Sequence, residues 1–449
     1  LYRLHDRDGD GRMEEVKLLR KTEGGVGHGR NDLALGPDGF IYLIHGNDVL
    51  LPADYERGQS AYRDYARDRL LPCAWDNQLF NWGVKEPAGH LIRTDAEGKR
   101  WDLVCGGMRN AYGLDFNADG EPFTYDSDME WDFGAPWYRP TRVTHLVSGA
   151  DYGWRQGTGK WYAYYPDSLP PQVDIGRGSP TGVKFGTKSN FPPKYRQALF
   201  VLDWSYGRII AVHNTPKGAS YDSTAEVFLK GRPLNVTDLE FGPDGHMYFT
   251  TGGRKTQSGL YRVKYVGPKV EEKPQGREAI RMAYAEIHRV NRHRLESFHG
   301  RVDAKAVEEA WPYLANSDLW LRHAARIAIE SQPVATWQEK ALSEPGKTAG
   351  PHALLALARL GRRPWQLREA EQPGPHRAGP AEVPRQGAPQ GGHVRGREEE
   401  PDVARVDLAI FFFRRHKGIA LMNFHNAGAK GLALFVSRPF IFFELKTLA

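Results

Sequence analysis

The chain has 449 residues, 12% of them aromatic, with 12 Trp and 49 Gly, enough for two or three domains with a large β-rich core. Its net charge of +6 is small for this length, and residues 1–266 carry no basic stripe interleaved with aromatics, so nucleic acid is not an expected partner. No run of 18 or more apolar residues is present, so no transmembrane helix is expected, and no C-x-x-C-H motif offers covalent haem attachment.

Cys73 and Cys105 are the two cysteines; they can pair, but two cysteines assign no compartment. The chain begins at Leu1 and shows no signal peptide, so it reads as a fragment.

Residues 6–14 read DRDGDGRME. Asp6, Asp8, Asp10 and Glu14 fall at positions one, three, five and nine of a calcium loop, with Gly11 at six. Lys17 stands where an EF-hand needs its bidentate Glu. The shorter pattern suits either a cation loop within a β-hairpin or a polar turn without metal, and its expected role is structural.

Residues 28–48 predict a β-hairpin. Leu33 and Leu35 alternate, Pro37-Asp38-Gly39 turns the chain, and Ile41 and Leu43 alternate again. His28 precedes the first strand in a loop containing Gly24, Gly25, Gly27 and Gly29, where backbone can approach a ligand closely. LDFNADGEPFT at 114–124 and LEFGPDGHMYF at 239–249 repeat the design, with turn aspartates Asp119 and Asp244, and GVKFGTKSNFP at 182–192 is a weaker echo. Repeated hairpins with irregular inserts predict blades of a β-propeller.

Residues 50–85 read as an insert between blades, with a short amphipathic helix at 54–70. Strand character resumes at 91–104. Arg109 and Asn110 then stand at a strand entrance, where an Arg-Asn pair either clamps a carboxylate or quinone oxygen or ties neighbouring blades together. Asp126, Asp128, Glu130 and Asp132, with Trp131, Trp137 and Tyr138 among them, suit sugar or alcohol binding or a cation, or for most of the four acids a surface loop. The segments 160–212 and 226–266 complete the β region, and GPKVEEKPQG at 267–276 is a linker.

From 277 the apolar period changes to about 3.6. Val307, Ala310, Trp311 and Leu314 form one helical face, which Pro312 should shorten. Leu321, Ala324, Ala325 and Ala328 form another, with Ser317-Asp318 placed to cap it. Helix pairs of this kind look like HEAT repeats, two pairs within 277–362. After 362 the chain is rich in Pro, Gly and Arg, then apolar without period. A disordered tail, or an out-of-frame translation of a G/C-rich gene, is the expectation for 363–449.

The segments His28–Asn47, GMRNAYG at 107–113 and GADYGW at 149–154 resemble, in this order, the soluble glucose/sorbosone dehydrogenase-like quinoproteins. The likeness covers about 1–362 and is closest to a bacterial subfamily of membrane-bound dehydrogenases that join a propeller to HEAT-like repeats and often a haem domain. The resemblance implies a six-bladed propeller, here partial (1–266), with pyrroloquinoline quinone (PQQ) and calcium near its axis. It implies oxidation of a sugar or alcohol by hydride transfer to the quinone. His28 matches the base, Arg109 the arginine that contacts quinone and substrate, and Asn110 its quinone-contacting neighbour. A periplasmic or secreted location and a c-type cytochrome acceptor are implied likewise. The chain departs from the family at Arg30, where the pattern has a double glycine. It departs also at Gly46-Asn47, where the pattern has Gly-Asp and Asp48 is displaced by one, and at Thr237-Asp238, where the pattern has Arg-Asp. The alternative is a non-catalytic propeller that binds carbohydrate or a protein partner.

Overall fold

The computed structural model describes residues 1–360, apart from 26, 53–54, 56–59, 63–83, 85, 128–138, 156–157, 160–163 and 271–275, together with 432–436 and 441–448. Most of the insert helix expected at 54–70, Cys73, the acids Asp128, Glu130 and Asp132, and most of the tail lie outside the described residues.

A first hairpin pairs β1 (Tyr2–His5) with β2 (Glu15–Leu18). Four antiparallel meanders follow. The first contains β3 (Arg30–Leu35), β4 (Ile41–His45), β5 (Gly89–Thr94) and β6 (Trp101–Met108). The second contains β7 (Tyr112–Phe116), β8 (Pro122–Asp126) and β9 (Thr141–His145). After the two-residue strands β10 (Trp154–Arg155) and β11 (Thr158–Gly159) pair with each other, β12 (Val173–Gly176) closes this second sheet on β9. The third contains β13 (Pro180–Phe185), β14 (Leu199–Asp203), β15 (Arg208–Lys217) and β16 (Ser220–Lys230), with the one-turn helix α1 (Pro193–Arg196) before β14. The fourth contains β17 (Val236–Phe241), β18 (Met247–Gly253) and β19 (Thr256–Tyr265). β20 (Leu432–Val436) and β21 (Ile441–Leu448) of the tail extend this last sheet in the order β19-β21-β20.

Strand alternation explains why the sheets stack. Successive side chains of a strand point to opposite faces. In β14, Leu199 and Val201 pack with Phe123, Tyr125 and Val143 of the second sheet. Phe200 and Leu202, on the other face, pack with Phe241, Met247 and Phe249 of the fourth. A strand buried on both faces reads as a continuous apolar run, and LFVLD does. The first and second sheets share a cluster containing Ile44, Leu91, Met108 and Leu114.

The leading strands β3, β7, β13 and β17 adjoin one another in sequence. Asp32 Oδ2 accepts from Leu114 N at 2.9 Å, Asp115 Oδ2 accepts from Phe185 N at 2.7 Å, and Thr181 Oγ1 donates to the Val236 carbonyl at 3.0 Å. The three turn aspartates all lie between the first and second strands of their sheets, and the echo at 182–192 occupies the same place in the third. In two of the turns the chemistry is the same. Tyr42 OH donates to Asp38 and Tyr248 OH donates to Asp244, each at 2.8 Å. The turns also touch in pairs: Asn190 N donates to the Gly245 carbonyl at 3.0 Å, and a Cβ on Gly120 would stand 3.0 Å from Pro37. The array is therefore mainly β, with a turn end and an opposite end formed by the strand entrances.

Helices cover the turn end. α2 (Arg277–Glu296) is followed by α3 (Ala306–Ala310), which becomes a 3-10 turn at Trp311–Ala315 where Pro312 enters. α4 (Leu319–Glu330) starts at Asp318, whose side chain accepts from Trp320 N and Leu321 N. α5 (Gln338–Ser343) and α6 (Ala349–Leu360) pack as a pair. Among the described residues no helix is long and apolar enough to cross a membrane.

The joint between helices and sheets is ionic. Glu121, buried just after the second sheet's turn, accepts from His145 Nε2 at 2.9 Å, from His293 Nε2 at 2.8 Å and from Arg292. Burial opposes the Glu121 charge, but Arg292 and the two histidines outweigh it and hold the carboxyl well below its usual range. The bond to Glu121 raises His293 above 6.5. A histidine with a raised folded pKa contributes stability that is full below its unfolded value and lost as pH rises through the folded value. The melting-temperature gap between wild type and His293→Ala should therefore be widest below pH 6.5 and narrow above it; a gap independent of pH contradicts the joint.

Candidate functional site

The His28 loop is held by its neighbours rather than by regular structure. Gly46 N donates to the Gly29 carbonyl at 2.8 Å and Asp48 N to the His28 carbonyl at 3.2 Å. The Asp48 carboxylate accepts from His28 N at 3.0 Å. Arg30, read from the sequence as a departure at the loop, pins the loop itself: its guanidinium donates to Thr22 Oγ1, the Thr22 carbonyl and the Gly25 carbonyl. A Cβ at Gly46 would stand 2.5 Å from Asn110 Oδ1 and 2.6 Å from the His28 carbonyl, so this crossing tolerates only glycine.

The same crossing brings the first and second sheets together. Asn47 N donates to the Arg109 carbonyl at 2.8 Å, while the Asn47 side chain meets His28 Nδ1 at 2.6 Å. Asn110 Oδ1 accepts from Asn31 Nδ2 at 2.7 Å. His28, distant in the chain from Arg109 and Asn110, thus stands with them in one cluster at the strand-entrance end. His28 and Arg109 are buried. Burial, and then the Arg109 charge, lowers the His28 pKa from 6.5, so the ring is neutral at pH 7.

Asp126 organises the Arg109 side of the cluster. Its carboxylate accepts from the backbone N–H of Arg109, Asn110 and Ser127 at 3.2, 2.9 and 3.0 Å. Arg142 Nη2 pairs with it at 3.0 Å, and both side chains are fully buried. Arg109 Nη1 donates to Ser127 Oγ at 3.1 Å. The surface-loop reading of Asp126 is therefore corrected: the end of β8 turns it inward, against the guanidinium of β9. Its inward orientation has no local sequence signal. Asp151 of the GADYGW segment pairs with Arg155 and accepts from Gly153 N at 2.8 Å, while Tyr152 N donates to the Gly106 carbonyl at 2.9 Å. The 106–110 segment is thus held from two sides.

Sequence reasoning also missed a histidine pair. His45 and His90 face each other across β4 and β5, with His45 Nδ1 3.1 Å from His90 Nε2. His90 Nδ1 donates to the Ala88 carbonyl at 2.8 Å. Burial pushes His45 down to about 2 and His90 down to about 4, so both are neutral. Cys105 is fully buried in the first sheet, with its thiol pushed up by burial.

Asp6, Asp8, Asp10 and Glu14 do converge: one oxygen from each lies within 4.8 Å of the others. Their turn is also self-bonded, with Asp6 accepting from Gly9 N and Gly11 N and Glu14 accepting from Arg7 N. This turn belongs to the β1–β2 hairpin and is separate from the His28 cluster. Thr237 and Asp238 supply no cation: Thr237 Oγ1 bonds Thr250 Oγ1 and Asp238 accepts from Leu239 N. A cavity of about 950 Å³ opens at the turn end, lined by Pro37, Tyr42, Phe116 and Arg301 among others. It lies at the opposite end of β3 and β4 from His28, and neither His28, Arg109 nor Asn110 lines it.

No family model matches the chain, and no curated protein matches it. Among solved structures, the oxidoreductase (glucose dehydrogenase) of Thermus thermophilus is 20% identical with a TM-score of 0.33, over 49% of this chain and 57% of that one. The PQQ-bound aldose sugar dehydrogenase of Streptomyces coelicolor is 15% identical with a TM-score of 0.36, over 53% and 63%. The soluble aldose sugar dehydrogenase of Escherichia coli, in its apo-form, is 15% identical with a TM-score of 0.37, over 53% and 66%. The chain thus spans less than two thirds of each of these proteins.

Removing one partner of a buried ion pair strands the other charge, at a cost of about 3–5 kcal/mol. Asp126→Ala should lower unfolding free energy by that amount in a urea titration. A loss below about 1 kcal/mol, the range of an exposed pair, means that Arg142 is not buried against it.

Proposed function

We propose that the chain is part of a quinoprotein-type oxidoreductase that oxidises a sugar or alcohol, with His28 as base and Arg109 and Asn110 at the cofactor. The observation that carries this reading is the convergence of a neutral buried histidine with Arg109 and Asn110, which the ordered motifs also single out. The donor set suits the group: Arg109 offers a cationic fork to a carboxylate or quinone oxygen. PQQ, when bound, would supply the acceptor for the hydride. A neutral imidazole takes the hydroxyl proton as the C–H bond breaks. Arg109 then balances negative charge developing on an oxygen beside it. Asp126 keeps the Arg109–Asn110 backbone in place without touching substrate.

Calcium belongs to the proposal through the oxygen-only set Asp6, Asp8, Asp10 and Glu14, which suits a hard cation. Its expected role there is to brace the β1–β2 hairpin. A periplasmic or secreted setting, a c-type cytochrome acceptor and HEAT-like pairing of the helices are part of the same reading. One observation favours a second reading, a propeller that binds carbohydrate or a protein partner without redox chemistry. Thr237 stands where a second cofactor-binding arginine is expected.

Adding PQQ and calcium should produce bound-quinone absorbance and reduction of a dye with an aldose or alcohol; neither signal appears under the second reading. His28→Ala should lower dye reduction by about 10²–10⁴-fold and leave quinone binding intact, since a base acts on substrate alone. Arg109→Ala should weaken both, and the double variant should fall far short of the product of the two losses. Calcium should raise the melting temperature of wild type and not of Asp8→Asn/Asp10→Asn; an unchanged wild type removes the metal.

A further inference from the structure

We propose that Asn47 is the positioning residue of His28: its amide oxygen fixes the ring with the proton on Nδ1 and makes Nε2 the basic nitrogen, while the adjacent carboxylate of Asp48 is committed to the backbone.

The Nδ1···Oδ1 separation is 2.6 Å. An amide oxygen only accepts, so a contact this short requires the ring nitrogen to donate. Asn47 is itself fixed, because its N–H donates to the Arg109 carbonyl and both it and His28 are buried. Asp48, one residue on, is the stronger acceptor but accepts from His28 N at 3.0 Å instead. The backbone reversal at Gly46 aims residue 47 at the ring and residue 48 at the main chain. The base therefore has a neutral partner. Among the described residues, the charged groups that act on it include Arg109 from the second sheet's entrance, Asp48 from its own crossing and Asp126 from the end of β8. Arg109 disfavours the imidazolium and the two carboxylates favour it. The amide on Nδ1 adds no negative charge of its own to those of Asp48 and Asp126. A carboxylate there would add one and raise ring basicity.

The catalytic meaning of this assignment rests on the reading of His28 as base, but its test does not. The full chain, labelled with ¹³C,¹⁵N-histidine, is titrated by NMR without substrate or cofactor, with His28→Gln identifying the His28 signals. Wild type should show the Nδ1–H tautomer at pH 7.5. Asn47→Asp, of the same shape, should keep that tautomer and bind a proton about tenfold more tightly, a rise of about one pKa unit. Asn47→Ala should give mixed tautomers, and Asp48→Asn should keep Nδ1–H. An Nε2–H ring in wild type, or a ring constant unchanged in Asn47→Asp, overturns the proposal. If wild type reduces dye with PQQ, the acidic limb of its kcat/KM profile should shift in Asn47→Asp with the NMR value. If it reduces none while the tautomer is as stated, the oxidoreductase reading fails and the positioning role stands.

Discussion

Two-faced burial is the constraint on which this molecule depends. Leu199 and Val201 look one way from β14 and Phe200 and Leu202 look the other, and each set is part of a different core. A one-residue slip in such a strand exchanges the two faces at once, which no neighbour tolerates. The register of each inner sheet is thus fixed by the sheets before and after it. That is why the strand entrances line up at one end of the stack and the Asp-Gly turns at the other.

Loops at the entrance end inherit this precision. The His28 loop and the Arg109–Asn110 turn come from different sheets, yet they are joined by Asn47 N to the Arg109 carbonyl at 2.8 Å and by Asn31 Nδ2 to Asn110 Oδ1 at 2.7 Å. Behind them Asp126 concentrates three backbone donors and the Arg142 guanidinium on one carboxylate. A buried charge is expensive to desolvate and is retained where its partners are complete. Here the completed pair holds the turn that carries Arg109. The same end keeps its imidazoles neutral by burial, at His28 as at His45 and His90. The site thus sets a cationic guanidinium near a buried neutral ring, where an interaction with developing charge is stronger than in water.

At the turn end a different use is made of charge. Glu121 receives His145 from its own sheet and Arg292 and His293 from α2. Arg292 also donates to the Ala219 carbonyl of the β15–β16 turn, and Asp318, the cap of α4, accepts from Ala219 N. One helix and one helix cap are therefore bound to two sheets through directional bonds. The helices are oriented on the stack by specific polar groups as well as by apolar contact.

The sequence by itself determined the features whose physics is local. The hairpins at Asp38, Asp119 and Asp244 were legible because alternation and turn chemistry act within a few residues, as Asp38 with Phe40 and Tyr42 illustrates. The shortening at Pro312 and the cap at Asp318 were legible for the same reason. His28, Arg109 and Asn110 were singled out by motif, as residue types at strand entrances. Tertiary structure alone decided what those residues touch. That Asp126 turns inward depends on Arg142 in the neighbouring strand, and the His45–His90 pair depends on cross-strand register. The Glu121–Arg292 joint spans 171 residues, and no pattern along the chain encodes it. Such pairings arise only when separate sheets and helices are packed, because a buried charge or imidazole takes its partner from whatever the fold sets beside it.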